Sequence, residues 1–259
     1  VPRVHVFFEG LKAPLHVSHR GGAKLAPENT MLAFRAAVTQ HRTDMLELDV
    51  HATRDGEVVV FHDATLERCT DGAGPIAERS WAELQQLDAA HHFDQGRLRG
   101  QGVRIPRLVQ VLDAFPSVRI NLEVKTQAAL GAFVALMKAR PAELRRLCIG
   151  SEHDDVAAQL HAALPDALHF FPANALAAFV MSARTDELVD DARYTVLDMP
   201  LEWEGVTVFD AELARIAKAR GKFINVWTID DPAVMRQLVA DGVGGVMTDR
   251  PDLLRDVLG

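Results

Sequence analysis

A closed (β/α)8 barrel is the α/β fold class predicted for this chain, as one domain over residues 1–259 with a small insertion subdomain over 64–104 after the second strand. Three observations predict it. Short apolar runs alternate with helical patterns nearly throughout, eight such runs pair with a helix, and a single long stretch breaks the rhythm. At 259 residues the chain is long enough to bury a full core.

Leu15 to Ser18 reads as the first strand. Pro27-Glu28-Asn29-Thr30 then reads as a helix start, with Asn29 or Thr30 as the cap, and the helix runs to about His41. Met45 to Val50 is the second strand. Val50 to Arg54 and Glu57 to Phe61 flank Asp55-Gly56, a hairpin signal that brings His62 close to Asp49. The stretch from Ala64 to Arg104 is too long for an ordinary βα loop and holds a helix candidate at Ser80, so it is assigned as the insertion. Alternation resumes with strands at Arg119 to Val124, Leu147 to Ser151, Leu168 to Phe171, Tyr194 to Met199, Phe223 to Thr228 and Gly245 to Thr248. Helices are expected near 128–139, 154–164, 175–184, 211–220, 232–240 and 251–258. Thr248-Asp249-Arg250-Pro251 reads as a strand-to-helix turn with proline in the first helical turn.

Composition narrows the function classes. No stretch approaches the ~18 consecutive apolar residues of a membrane span, so stable membrane insertion is not expected. The segment from Val1 to Leu15 carries Arg3, Glu9 and Lys12 and lacks the apolar run of a signal peptide. A signal already removed would leave no trace, and the cytoplasm is the expected location. The formal net charge of −8 argues against a nucleic-acid partner, which normally meets an excess of Lys and Arg on at least one face. Cys69 and Cys148 are expected to be free thiols, since neither forms a metal-spaced pair. His91 and His92 are expected to be exposed loop residues.

Chemistry concentrates at strand ends. Residues i and i+2 of a strand point the same way, so Glu47 and Asp49 share one face opposite Leu46, Leu48 and Val50. Asn121, Glu123 and Lys125 likewise share a face. Barrel enzymes carry their sites at the carboxyl ends of strands, so these polar groups are expected to converge at one mouth. An isolated Glu-x-Asp reads as surface ion-pair partners. Three inward acids instead point to one divalent, oxygen-loving cation, Mg²⁺ or Ca²⁺, with Glu47, Asp49 and Glu123 as ligands. His19 ends the first strand and His62 the hairpin strand, and two such imidazoles can divide acid and base work near neutrality. Arg20 offers a planar fork and Lys125 a compact charge for phosphate oxygens, or both serve as counter-ions to Glu47 and Glu123. Trp227 ends the seventh strand, where it lines a substrate pocket or fills core.

With these residues in view, the chain resembles the glycerophosphodiester phosphodiesterases. The resemblance runs in order through His19-Arg20-Gly21-Gly22, Pro27-Glu28-Asn29-Thr30, Glu47-Leu48-Asp49-Val50, Val60-Phe61-His62-Asp63 and Leu122-Glu123-Val124-Lys125. It continues through Ile105-Pro106-Arg107-Leu108, Val226-Trp227-Thr228 and the stretch from Gly245 to Pro251. It implies metal-assisted hydrolysis of a small-molecule glycerophosphodiester, such as glycerophosphocholine, to sn-glycerol 3-phosphate and an alcohol. His19 and His62 become the acid and base, Glu47, Asp49 and Glu123 the metal ligands, and Arg20 and Lys125 the phosphate contacts. Water or the glycerol 2-hydroxyl is the nucleophile. A lipid substrate would require an apolar rim; aromatic residues form only 6% of the chain, and Phe170, Phe171 and Phe179 are the candidates for part of one.

Overall fold

The computed structural model describes residues 5–259; Arg3, noted above, lies outside the described residues. Eight parallel strands form the barrel: Leu15–Ser18, Met45–Ala52, Arg119–Val124, Leu147–Gly150, Leu168–His169, Val196–Pro200, Phe223–Trp227 and Gly245–Thr248. Each pairs with the next in chain order, and the eighth returns to the first. The fifth and sixth strands close the ring through the Phe170–Val196 bridge, where the Phe171 N–H donates to the Val196 carbonyl at 2.8 Å. As the hairpin signal requires, Val58–Val60 pairs antiparallel with the second strand, Val50 opposite Val60.

The two faces of each strand part as their periodicity dictates. Leu46, Leu48, Val50, Leu122 and Val124 pack outward in one cluster with Phe34, Leu112, Phe133 and Met137 from surrounding helices. Leu197, Ile224, Val226 and Val246 do the same with Phe179, Leu213 and Met235 on the other side. The inward residues Leu15, Val17, Met45, Cys148, Leu168, Phe170, Val196 and Met247 fill the amino-terminal end of the barrel together with Phe7. That packed floor leaves the carboxyl-terminal end for polar side chains.

Two helices start on the residues expected of them. Thr30, not Asn29, caps Met31–Thr39, its hydroxyl accepting from the Ala33 N–H. Ser80 and Glu83 form a capping box on Trp81–Leu84. That helix lies within 64–104, where Leu66, Ile76, Leu84 and Ala89 pack with Val59, Phe61 and Ile105. One barrel helix, Leu108–Ala114, is absent from the sequence reading because its seven residues give too few turns to establish a period.

The three phenylalanines that were candidates for an apolar rim do not form one. Phe170 belongs to the barrel floor, and Phe171 and Phe179 face the helix layer, where the Phe171 ring also packs at a tilt against Tyr194; all three are buried. Both cysteines are free, Cys148 buried and Cys69 half-buried. His92 is exposed, whereas His91 is half-buried and packs edge-on against it.

Candidate active site at the barrel mouth

After the first strand the chain makes a tight turn, His19-Arg20-Gly21-Gly22. Gly21 and Gly22 sit at φ of 82° and 97°, where a side chain would strike Ala33 at 2.8 Å and Pro251 at 2.7 Å. Arg20 holds the same left-handed region at φ 49° despite its side chain, and its N–H donates to Glu47 Oε2 at 2.9 Å. The backbone thereby aims His19 and Arg20 at the carboxylates of the second strand.

Strand register does the rest of the gathering. Asp49 lies opposite Glu123 and Glu47 opposite Asn121. Lys125 Nζ donates to Glu123 Oε2 at 3.0 Å and lies 3.8 Å from Asp49 Oδ1. Arg20 Nε approaches Asp49 Oδ2 at 3.5 Å, and its Nη1 donates to Glu28 at 2.9 Å. Asn29 donates to Asp49 Oδ2 at 3.0 Å, so the residue read as a rival helix cap holds a site carboxylate instead. Arg20 and Lys125 thus pair with acids here, as their counter-ion reading requires. Below this layer Asp198 accepts from Asn121 at 2.6 Å and Asn225 at 2.7 Å, tying the third, sixth and seventh strands together across the barrel. Loss of hydration pushes the Asp198 carboxyl up to about 6.

The two histidines are held alike. His19 Nδ1 donates to Asp249 Oδ1 at 2.7 Å, and His62 Nδ1 donates to Asp63 Oδ1 at 2.6 Å. A carboxylate only accepts, so each Nδ1 carries the proton and each Nε2 is left for chemistry. His19 Nε2 faces Glu47 at 3.9 Å. Burial disfavours the His19 cation, but the Asp249 hydrogen bond and the Glu47 charge outweigh it and raise its pKa. His62 is fixed from behind as well: its carbonyl meets His51 Nε2 at 3.0 Å, and the Phe61 N–H donates to the Asp49 carbonyl.

Sequence reasoning passed over two partners, Asp249 and Arg68, and left a third, Glu28, between helix capping and support of the site residues. Asp249 was absorbed into a strand-to-helix turn, although it lies 230 residues from His19 in sequence. Glu28 takes the supporting role, bonded to Arg20 at 2.9 Å. Arg68, within 64–104, carried no signal, yet its guanidinium donates to both Asp63 oxygens at 2.7 and 2.9 Å and both Glu28 oxygens at 2.7 Å. A continuous chain therefore runs Arg20–Glu28–Arg68–Asp63–His62. Arg68 holds Asp63 well below the usual carboxylate range by its hydrogen bonds, and it outweighs burial to lower Glu28 too. Arg68→Ala should lower kcat about 10–100-fold with little change in KM, the usual cost of losing a residue that orients a reacting one. The rate–pH profile should also move, because Asp63 loses the partner that fixes it against His62. An unchanged profile with a lower Tm would mean that Arg68 only supports the fold.

Among the described residues, no group of three or more His, Cys, Asp or Glu side chains forms a ready metal cage. The expected ligands Glu47, Asp49 and Glu123 instead engage Arg20, Asn29, Lys125 and the Glu152 N–H. Their chemistry nonetheless suits a hard cation. Burial, and then the charge of Asp49, push Glu47 up to about 8, and the same two causes raise Glu123 against the pull of Lys125. Concentrated carboxylate charge that the protein's own cations do not fully balance is what an Mg²⁺ or Ca²⁺ ion would offset. Trp227 is 38% exposed at the end of the seventh strand, which removes the core reading.

The family model for the glycerophosphoryl diester phosphodiesterase family matches residues 19–253. A glycerophosphodiester phosphodiesterase of Bacillus subtilis is 28% identical over 261 residues, covering 94% of this chain and 86% of that protein. A lysophospholipase D of Mus musculus is 45% identical over 115 residues, which are 42% of this chain and 36% of that protein. Among solved structures, a phosphodiesterase of Oleispira antarctica in complex with the product sn-glycerol-3-phosphate superposes with a TM-score of 0.73 at 25% identity, covering 93% of this chain and 95% of that one.

Proposed function

The chain belongs to the glycerophosphoryl diester phosphodiesterase family, and from that premise we propose that it hydrolyses glycerophosphodiesters such as glycerophosphocholine to sn-glycerol 3-phosphate and an alcohol. The observation that carries this reading is the matched pair of histidines, each with Nδ1 on an aspartate and Nε2 free, around a cluster of acids and two cations.

His19 and His62 exchange a proton with the attacking and departing oxygens through Nε2, while Asp249 and Asp63 steady the imidazolium that forms. The attacking oxygen is that of water or of the glycerol 2-hydroxyl. Arg20 and Lys125 rest on carboxylates 2.9 to 3.8 Å away, close enough to share their charge with phosphate oxygens entering the mouth. Glu47, Asp49 and Glu123 would hold one Mg²⁺ or Ca²⁺ ion, whose contribution is Lewis-acid polarisation of the phosphate. Trp227 lines the mouth and offers an aromatic face to the alcohol. Glycerophosphocholine incubated with the enzyme and Mg²⁺ should yield equal amounts of sn-glycerol 3-phosphate and choline. Release of phosphocholine or glycerol instead would overturn the assignment of the cleaved bond.

A second reading, cleavage of the same bond in a lysophospholipid, is favoured by the similarity to the mouse lysophospholipase D over 115 residues.

A further inference from the structure

The sixth barrel strand ends at Pro200, and the chain then forms a two-stranded ribbon, Glu202–Trp203 antiparallel to Val206–Thr207. Its turn residues Glu204 and Gly205 both have positive φ, 50° and 79°. That two-residue geometry matches the twist of the flanking strands and fixes the tip. Trp203 and Val206 are direct cross-strand partners, so they share one face, and Glu202 and Thr207 share the other. Trp203 is 62% exposed and Val206 64%. On the neighbouring barrel strand, half-exposed Trp227 is the register partner of Pro200, the residue from which the ribbon springs. An apolar surface that joins no core cluster therefore grows out of the mouth of the candidate site.

A diester dissolved in water needs no such surface, and exposed apolar area of this kind marks a binding face. We infer that the Trp203–Val206 face docks on a zwitterionic lipid surface and so presents a lysophospholipid to the mouth, an inference that rests on the phosphodiesterase reading above. Indole suits the occupant because its apolar ring and N–H sit at headgroup depth. Charge selects the surface. The ribbon carries Glu202 and Glu204 and no Lys or Arg, within a chain of net charge −8, so an anionic membrane would repel it while choline headgroups would not. Lysophosphatidylcholine contains the same glycerol–phosphate–choline unit as glycerophosphocholine. Water adds to phosphorus, the bond from phosphorus to the choline oxygen breaks, and that oxygen takes the proton, giving choline and a lysophosphatidic acid.

The test compares wild type with the double variant Trp203→Ser, Val206→Ser on soluble glycerophosphocholine and on lysophosphatidylcholine held in phosphatidylcholine vesicles. The variant should keep the soluble rate, which also reports its folding, and lose about 10-fold or more on vesicles, as expected when interfacial apolar contact is removed. An unchanged vesicle rate, or equal losses on both substrates, overturns the inference. Wild type that cleaves glycerophosphocholine but not the vesicle lipid overturns the inference alone. Cleavage of neither substrate overturns the phosphodiesterase reading beneath it.

Discussion

Replacing His19 with Ala should lower kcat on glycerophosphocholine by about 10²–10⁴-fold, the range that a positioned general acid or base supplies. The expectation rests on three features. His19 Nδ1 is committed to Asp249 at 2.7 Å, its Nε2 points toward the acid cluster, and its side chain is only 16% exposed. The effect should fall on kcat rather than KM, because Arg20 and Lys125, not His19, are assigned to the phosphate. Mg²⁺ binding followed by calorimetry should survive, since His19 is not among the assigned ligands. Turnover that remained near wild type would refute the role. A loss of both turnover and metal affinity would move His19 from proton transfer to ligation. Asp249→Asn should lower the rate less, because it keeps a polar partner at Nδ1 but withdraws the charge that raises the His19 pKa.

Chelation should abolish turnover to a comparable or greater degree, with loss of more than about 100-fold in EDTA and recovery on adding Mg²⁺ or Ca²⁺. The physical ground is the charge in the mouth. Burial and a neighbouring carboxylate push Glu47 up to about 8 and raise Glu123. Two protein cations lie near, yet Arg20 is shared with Glu28 and Lys125 with Asp49 and Glu123. Glu47→Gln should weaken the cation affinity and the rate together, because a neutral amide keeps the shape while withdrawing charge. A rate indifferent to EDTA would remove the metal from Glu47, Asp49 and Glu123 and leave them as the electrostatic frame for Arg20 and Lys125.

Much of this site is legible in the sequence because strand geometry is local. The two-residue period alone places Glu47 and Asp49 on one face and their leucine neighbours on the other, and the structure keeps both assignments, with Leu46 and Leu48 in the helix layer. Asp55-Gly56 placed His62 at the end of a strand pairing with the second barrel strand, and the hairpin forms there. Whether Phe170 belongs to an apolar rim is a question that strand alternation leaves open. Alternation says which residues share a face but not which end of the barrel they occupy, and Phe170 lies in the floor.

What the sequence determined by itself is the barrel, its strand ends and the list of groups that converge at the mouth, since these follow from periodicity, turn chemistry and the rule that strand ends carry barrel sites. Only the tertiary structure decided how those groups are held. Asp249 reaches His19 across 230 positions, Arg68 clamps Glu28 across 40, and Asp198 joins Asn121 across 77. It also decided that Trp227 and Trp203 are exposed to solvent. Contacts of this kind depend on closing the ring and on long side chains meeting across it, and no local pattern along the chain encodes where such a side chain ends.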